Sequence, residues 1–224
     1  MPPVPSPGAR SPLQTAMADC GLIAILRGIK PAEAEAVGDA LYRAGFRIIE
    51  VPLNSPEPLA SIRNLRQALP LDCMIGAGTV LDPAICPDIV RAGGEIVVMP
   101  HSDPHVIRAA KAALMACCPG VATPTEAFAA LAAGADVLKM FPAEQLGPAV
   151  VKAWRAVIPP AIPLVPVGGI TPARIAEYAQ AGATGFGLGS ALYKPGMKAD
   201  EVASHARDFV AAWRKAYPQT GQQA

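Results

Sequence analysis

Short apolar runs rich in branched side chains alternate along this chain with longer, alanine-rich stretches in which polar positions return at helical spacing. The short runs, bounded by turn residues, predict strands over 22–26, 48–53, 74–80, 95–100, 117–121, 137–141, 164–168 and 185–189. The stretches between them predict helices over 31–44, 56–69, 83–92, 104–115, 124–132, 148–157, 172–181 and 200–217. Helix starts share a punctuation. Ser55-Pro56, Asp82-Pro83, Asp103-Pro104, Thr123-Pro124 and Thr171-Pro172 each set a capping side chain before a proline, whose missing N–H costs nothing at the first helical position. Thr123 with Glu126 adds a capping box. Gly45, Gly93, Gly134 and Gly182 stand where a left-handed residue would close a helix.

Strand followed by helix, repeated eight times without a linker or a shift in composition, is the pattern of βαβ units around a parallel sheet. Eight units predict an α/β fold of one domain, a closed (β/α)8 TIM barrel over 17–217. An open doubly wound sheet would carry a G-x-G-x-x-G turn after its first strand, and Arg27-Gly28-Ile29-Lys30 stands there instead. The proline-rich start, 1–16, is expected to be a mobile tail, with Met17 as an alternative first residue, and 218–224 a frayed polar tail.

Composition narrows the class. Of 224 residues 52% are hydrophobic and 17% charged, enough apolar material for one sizeable core and too much for a disordered chain. Lys plus Arg number 19 against 18 for Asp plus Glu, with no basic block, which argues against nucleic acid or anionic lipid as a partner. The apolar stretch 112–121 contains Pro119 and Gly120 and is far shorter than the ~20 residues of a membrane span. Five cysteines with no C-x-x-C pair, and prolines where an export signal would be unbroken, point to a soluble protein of the cytoplasm.

Charged residues inside apolar strands then stand out: Arg27 after LIAIL, Glu50 in IIEVPL and Lys139 in DVLKMF. Alternation places all three on the face that points into a barrel, late in their strands, where such barrels form their sites. A buried structural ion pair between Glu50 and Lys139 is the plainer reading, but burying two ions costs several kcal/mol each before their attraction offsets it. Burial and a nearby Arg27 would both lower the pKa of Lys139, and a neutral amine attacks carbonyls to give a Schiff base. Glu50 is then the group placed to move protons. A second constellation, Gly168-Gly169 and Gly189-Ser190, falls in the loops after the seventh and eighth strands, where backbone N–H groups and a helix start bind phosphate. Thr79 ends the third strand with an inward hydroxyl. His101-Ser102-Asp103-Pro104-His105 imitates a metal site, but Asp103 is already explained as a helix cap and no third ligand is identifiable, so no metal is expected. Cys117 and Cys118, on opposite faces of one strand, read as small buried hydrophobes.

Seven segments carry a resemblance: LIAILRGI (22–29), IIEVPLNSP (48–56), IGAGTVL (75–81), ATPTEAF (122–128), LKMFPAE (138–144), PVGGITP (166–172) and GFGLGSALY (185–193). Over nearly the whole span from Leu22 to Tyr217 the chain resembles the bacterial 2-keto-3-deoxy-6-phosphogluconate aldolase family. The resemblance implies a class I aldolase needing no metal or other cofactor, a homotrimer whose partners are a phosphorylated 2-keto-3-deoxy sugar acid, pyruvate and D-glyceraldehyde 3-phosphate. It implies that Lys139 forms the Schiff base and Glu50 is the acid and base. Arg27 and Thr79 would bind substrate, Gly168, Gly169 and Ser190 the phosphate, and Pro100 and Phe141 would line the pyruvate pocket. Two positions depart from the gluconate pattern. Asn54 replaces an arginine four residues after the glutamate, and Val167 replaces a threonine able to bond the C4 hydroxyl, a bond valine cannot make. Both departures are similar to the branch acting on the galactonate epimer in galactose breakdown. His101 stands where relatives often carry a small amide. The gluconate or hydroxyketoglutarate substrate is the nearest rival, followed by a phosphosugar isomerase or epimerase using Glu50 without covalent chemistry, and by a non-catalytic phosphate-metabolite sensor.

Overall fold

The computed structural model describes residues 10–218. The strands are β1 (Leu22–Ile25), β2 (Ile48–Pro52), β3 (Met74–Gly78), β4 (Ile96–Val98), β5 (Ala116–Cys118), β6 (Gly120–Val121), β7 (Leu138–Met140), β8 (Leu164–Pro166) and β9 (Phe186–Leu188). Every pairing is parallel. One curled sheet runs β5-β4-β3-β2-β1-β9 and a second runs β6-β7-β8, with a single parallel bridge from Val167 to Gly187 between β8 and β9. The fifth predicted strand is thus divided in two. Pro119 has no N–H to give to a ladder, although its carbonyl still accepts from the Lys139 N–H at 2.9 Å.

Helices α2 (Pro31–Ala44), α3 (Pro58–Ala68), α4 (Cys86–Arg91), α5 (Pro104–Ala112), α6 (Pro124–Ala133), α7 (Pro148–Arg155), α8 (Ile175–Gln180) and α9 (Ala199–Ala216) fill the predicted places. Prolines open most of them, the capping box of Thr123 and Glu126 is formed, and Asp103 accepts from the His105 N–H at 2.8 Å. All four predicted closing glycines take positive φ, from 88° to 118°. Two expected caps are not made. Ser55 does not cap α3, which starts later; its hydroxyl accepts from the Gly28 N–H at 2.9 Å and ties β2's end to β1's. Thr171 makes no cap bond, and a short 3-10 turn, Pro172–Arg174, precedes α8.

The largest difference lies at the start. The expected mobile tail over 1–16 falls partly outside the described residues, but Pro12–Asp19 forms a helix, α1. Ser11 accepts from the Gln14 N–H at 3.2 Å and Gln14 returns the bond to Ser11 at 2.9 Å, with Pro12 at the first position. This is the same punctuation as elsewhere, hidden among prolines. Leu13, Ala16 and Met17 are buried against Ile23, Ile48, Met74, Ile96, Val137 and Val165. All six lie within one residue of the start of a strand, so α1 closes the N-terminal end of the strand array and leaves chemistry to the other end. The last residues, 219–224, also lie outside the description.

The apolar core has two layers. One lies among the strands and includes Cys118, Val98 and Val167; the other, with Cys117, fills the space between strands and helices. The two cysteines therefore do face opposite ways. Among the described residues no helix is long and apolar enough to cross a membrane.

Candidate active site

Register explains how two charged side chains come to share the strand interior. Glu50 on β2 lies level with Ile25 on β1 and Gly76 on β3, and Lys139 on β7 lies level with Gly120 on β6 and Val165 on β8. Their neighbours two residues back, Ile48 and Val137, are in the inner apolar cluster, so alternation aims Glu50 and Lys139 inward as well. Only 2% of Glu50 and 7% of Lys139 is exposed. The two form no direct ion pair, so the structural-pair reading is not what is found, and Oε2 of Glu50 is buried without a hydrogen-bond partner.

Burial dominates the electrostatics of both groups. It pushes the Glu50 carboxyl up to about 7, against the pull of the Lys139 and Arg27 charges. It pushes the Lys139 amine down, assisted by Arg27 and opposed by Glu50 and Cys118. The Lys139 Nζ sits 4.7 Å from the centre of the Phe141 ring, which is 37% exposed. An amine and a carboxyl are thereby both drawn toward their neutral forms in one desolvated space, which suits nucleophilic attack on a carbonyl and proton transfer beside it.

Arg27, just past β1, is exposed; its Nη1 donates to Asn54 Oδ1 at 2.6 Å and its Nη2 to Thr79 Oγ1 at 3.5 Å. Three loops therefore hold one guanidinium at the C-terminal ends of β1, β2 and β3. Thr79 has a φ of 55°, a left-handed conformation that is costly for a β-branched residue and that marks this rim as constrained. The departure at Asn54 thus gains a physical partner: it orients the arginine that remains.

Gly168 and Gly169 follow β8 with φ of 112° and 62°, and Ser190 is exposed in the turn after β9. Val167 is buried and bonds into β7 through its N–H to Met140 O at 3.0 Å and through its carbonyl from Ala143 N–H at 2.8 Å. This links the glycine turn to the strand that carries Lys139. Pro100 is half-buried at the end of β4, beside His101, whose Nδ1 is buried without a partner.

Two residues escaped the sequence reading. Gly78 is one: a Cβ there would have the three carboxyl atoms of Glu50 as its nearest neighbours. Glu144 is the other, its side chain lying against the Cα positions of both Gly168 and Gly169. Gly78 could have been found as a glycine on the inward parity of the strand beside Glu50. Nothing in the spacing of Glu144 signals its place over the glycine turn.

A desolvated lysine and a near-neutral carboxyl at the C-terminal ends of parallel strands, with an arginine just past β1 and a glycine turn just past β8, define an enzyme of amine-based carbonyl chemistry. The comparisons agree. The family model for KDPG and KHG aldolases matches residues 13–207, and the chain belongs to that family. It is 50% identical over 196 residues to the probable 2-dehydro-3-deoxy-6-phosphogalactonate aldolase of Rhizobium meliloti (strain 1021), covering 88% of this chain and 92% of that one. It is 47% identical over 195 residues to the 2-dehydro-3-deoxy-6-phosphogalactonate aldolase of Escherichia coli (strain K12), covering 87% and 95%. A solved structure described as native KDPGal superposes with a TM-score of 0.85 at 47% identity, covering 87% of this chain and 95% of that one.

Proposed function

We propose that this protein is a class I aldolase that cleaves 2-dehydro-3-deoxy-6-phospho-D-galactonate to pyruvate and D-glyceraldehyde 3-phosphate. The observation that carries the reading is the buried Lys139, its pKa lowered, sharing the strand interior with a Glu50 raised to about 7. We read the two sheets as one closed (β/α)8 barrel, because β5 and β6 are one run of chain interrupted at Pro119 and the Val167–Gly187 bridge joins the other edges. Cytoplasmic location and a homotrimer accompany the proposal.

In this mechanism the neutral Lys139 Nζ attacks the C2 ketone, and the Glu50 carboxylate relays a proton from solvent to the C2 hydroxyl, which leaves as water. The resulting iminium is an electron sink. Glu50 then takes the proton of the C4 hydroxyl, the C3–C4 bond breaks toward the iminium, and the aldehyde departs. Protonation of the enamine at C3 and hydrolysis of the imine release pyruvate and restore the amine. Arg27, with Thr79, would hold the substrate carboxylate, while Gly168, Gly169 and Ser190 would hold the phosphate, so that chain length is measured between two fixed ends. Pro100 and Phe141 would flank the pyruvyl carbons.

The test is one assay of both C4 epimers together with mass mapping of the protein after pyruvate and borohydride. Faster cleavage of the galactonate epimer and a pyruvyl mass on Lys139 support the proposal; preference for the gluconate epimer would move the substrate to the rival. Val167→Thr should restore a hydroxyl near C4 and shift the epimer ratio of kcat/KM toward gluconate by about tenfold. An unchanged ratio would place selectivity elsewhere. Asn54→Ala should release Arg27 and raise KM for the substrate about fivefold with little change in kcat, as loss of one charge-assisted bond predicts. A fall in kcat alone would show that Arg27 acts on the reacting atoms instead.

A further inference from the structure

We infer that Gly78 is a positioning residue for proton transfer: by lacking a side chain it leaves, on the inner face of β3, the space in which the Glu50 carboxyl group rests. The three atoms nearest to a Cβ at this position are Oε2, Cδ and Oε1 of Glu50, all too close for a real methyl group. The backbone itself does not demand glycine here, since Gly78 is not among the residues of positive φ.

Gly76, two residues earlier on the same face, provides the contrast. A Cβ there would strike the main-chain carbonyl and side chain of Ile96 on the neighbouring strand, so that glycine is needed for the strands to approach at all. At Gly78 the obstacle is the movable end of one side chain. The strand can accept alanine and the carboxyl group must yield. Oε2 has no hydrogen bond to hold it elsewhere, and the bare backbone of Gly78 sets how close to β3 it can lie. Pushed off β3, the carboxyl group would move into the interior, where Lys139, Arg27 and Cys118 are the groups that act on its charge.

This inference rests on the acid and base role proposed for Glu50. Gly78→Ala should lower kcat about a hundredfold, since displacing a reacting group by about 1 Å has that scale of effect, while KM changes little. Closer approach to the Lys139 and Arg27 charges should move the low-pH limb of activity to lower pH. Glu50→Asp, whose shorter side chain draws the carboxyl group back, should impair the native chain yet raise kcat at least about tenfold in the Gly78→Ala background. A merely structural glycine predicts neither the shifted limb nor this rescue. Wild-type kcat in Gly78→Ala, a Glu50→Asp change equally harmful in both backgrounds, or failure of both Gly78→Ala and the double variant to fold would each overturn it. Glu50→Gln separates the two claims. If that variant is fully active the role of Glu50 fails, and if it is inactive while Gly78→Ala is normal only the present inference fails.

Discussion

Replacing Lys139 with methionine should give a folded protein that cleaves nothing and retains no pyruvate after borohydride. Methionine nearly matches the lysine stem in length and is at home in the inner apolar layer, level with Val165, so packing survives. What is lost is the amine that the strand interior holds. Loss of a covalent nucleophile removes about four orders of magnitude of turnover or more, because the residues around it act as a unit. A stability change accompanies the loss. The folded pKa of Lys139 lies below its unfolded value, so the folded state binds fewer protons and is weakened as pH falls. Lys139→Met removes that weakness, and denaturant melts should show its advantage growing toward acid pH. A pyruvyl adduct on any residue of this variant would end the assignment of the Schiff base to Lys139.

The strands, helices and inward charges were legible because they follow local rules. Period-two alternation put Glu50 and Lys139 on the face where register places them, and the capping pairs at Asp103 and Thr123 formed as written. What escaped depended on partners distant in sequence. Ser55 has every feature of a helix cap, but Gly28, 27 residues away, claims its hydroxyl. Helix α1 was masked by the prolines around it, and its burial depends on strand starts from β1 to β9 that no local window contains. Pro119 reads as part of a strand by its neighbours, and only its missing donor divides the ladder. At the site the same division holds. Arg27, Glu50 and Lys139 are visible as charges out of place, whereas the Arg27–Asn54–Thr79 arrangement and the seat of Glu50 on Gly78 exist only once three strands lie side by side.

Glu50→Gln tests whether the buried carboxyl group was placed for stability or for chemistry, and it should move the two in opposite directions. A glutamine cannot take the C4 hydroxyl proton, and turnover should fall between about a hundredfold and ten-thousandfold with pyruvate affinity nearly kept. In the native chain, activity should rise with pH through about 7 as Glu50 loses its proton, and that rise should be absent from the residual activity of the variant. The folded pKa of about 7 lies above the ordinary value of 4.5, so between those limits the folded state holds the extra proton and stability falls as pH climbs. Above pH 7 the whole penalty applies, at most about 3 kcal/mol for a shift of this size. Denaturant melts of both proteins at pH 4.5 and pH 8 should therefore show the variant gaining on the native chain with rising pH, whatever constant offset the buried amide adds. Parallel pH profiles would mean that Glu50 is not held at a raised pKa. A stabilised protein with its turnover lost would show that the fold carries this carboxyl group at a cost, which only a proton-transfer step explains.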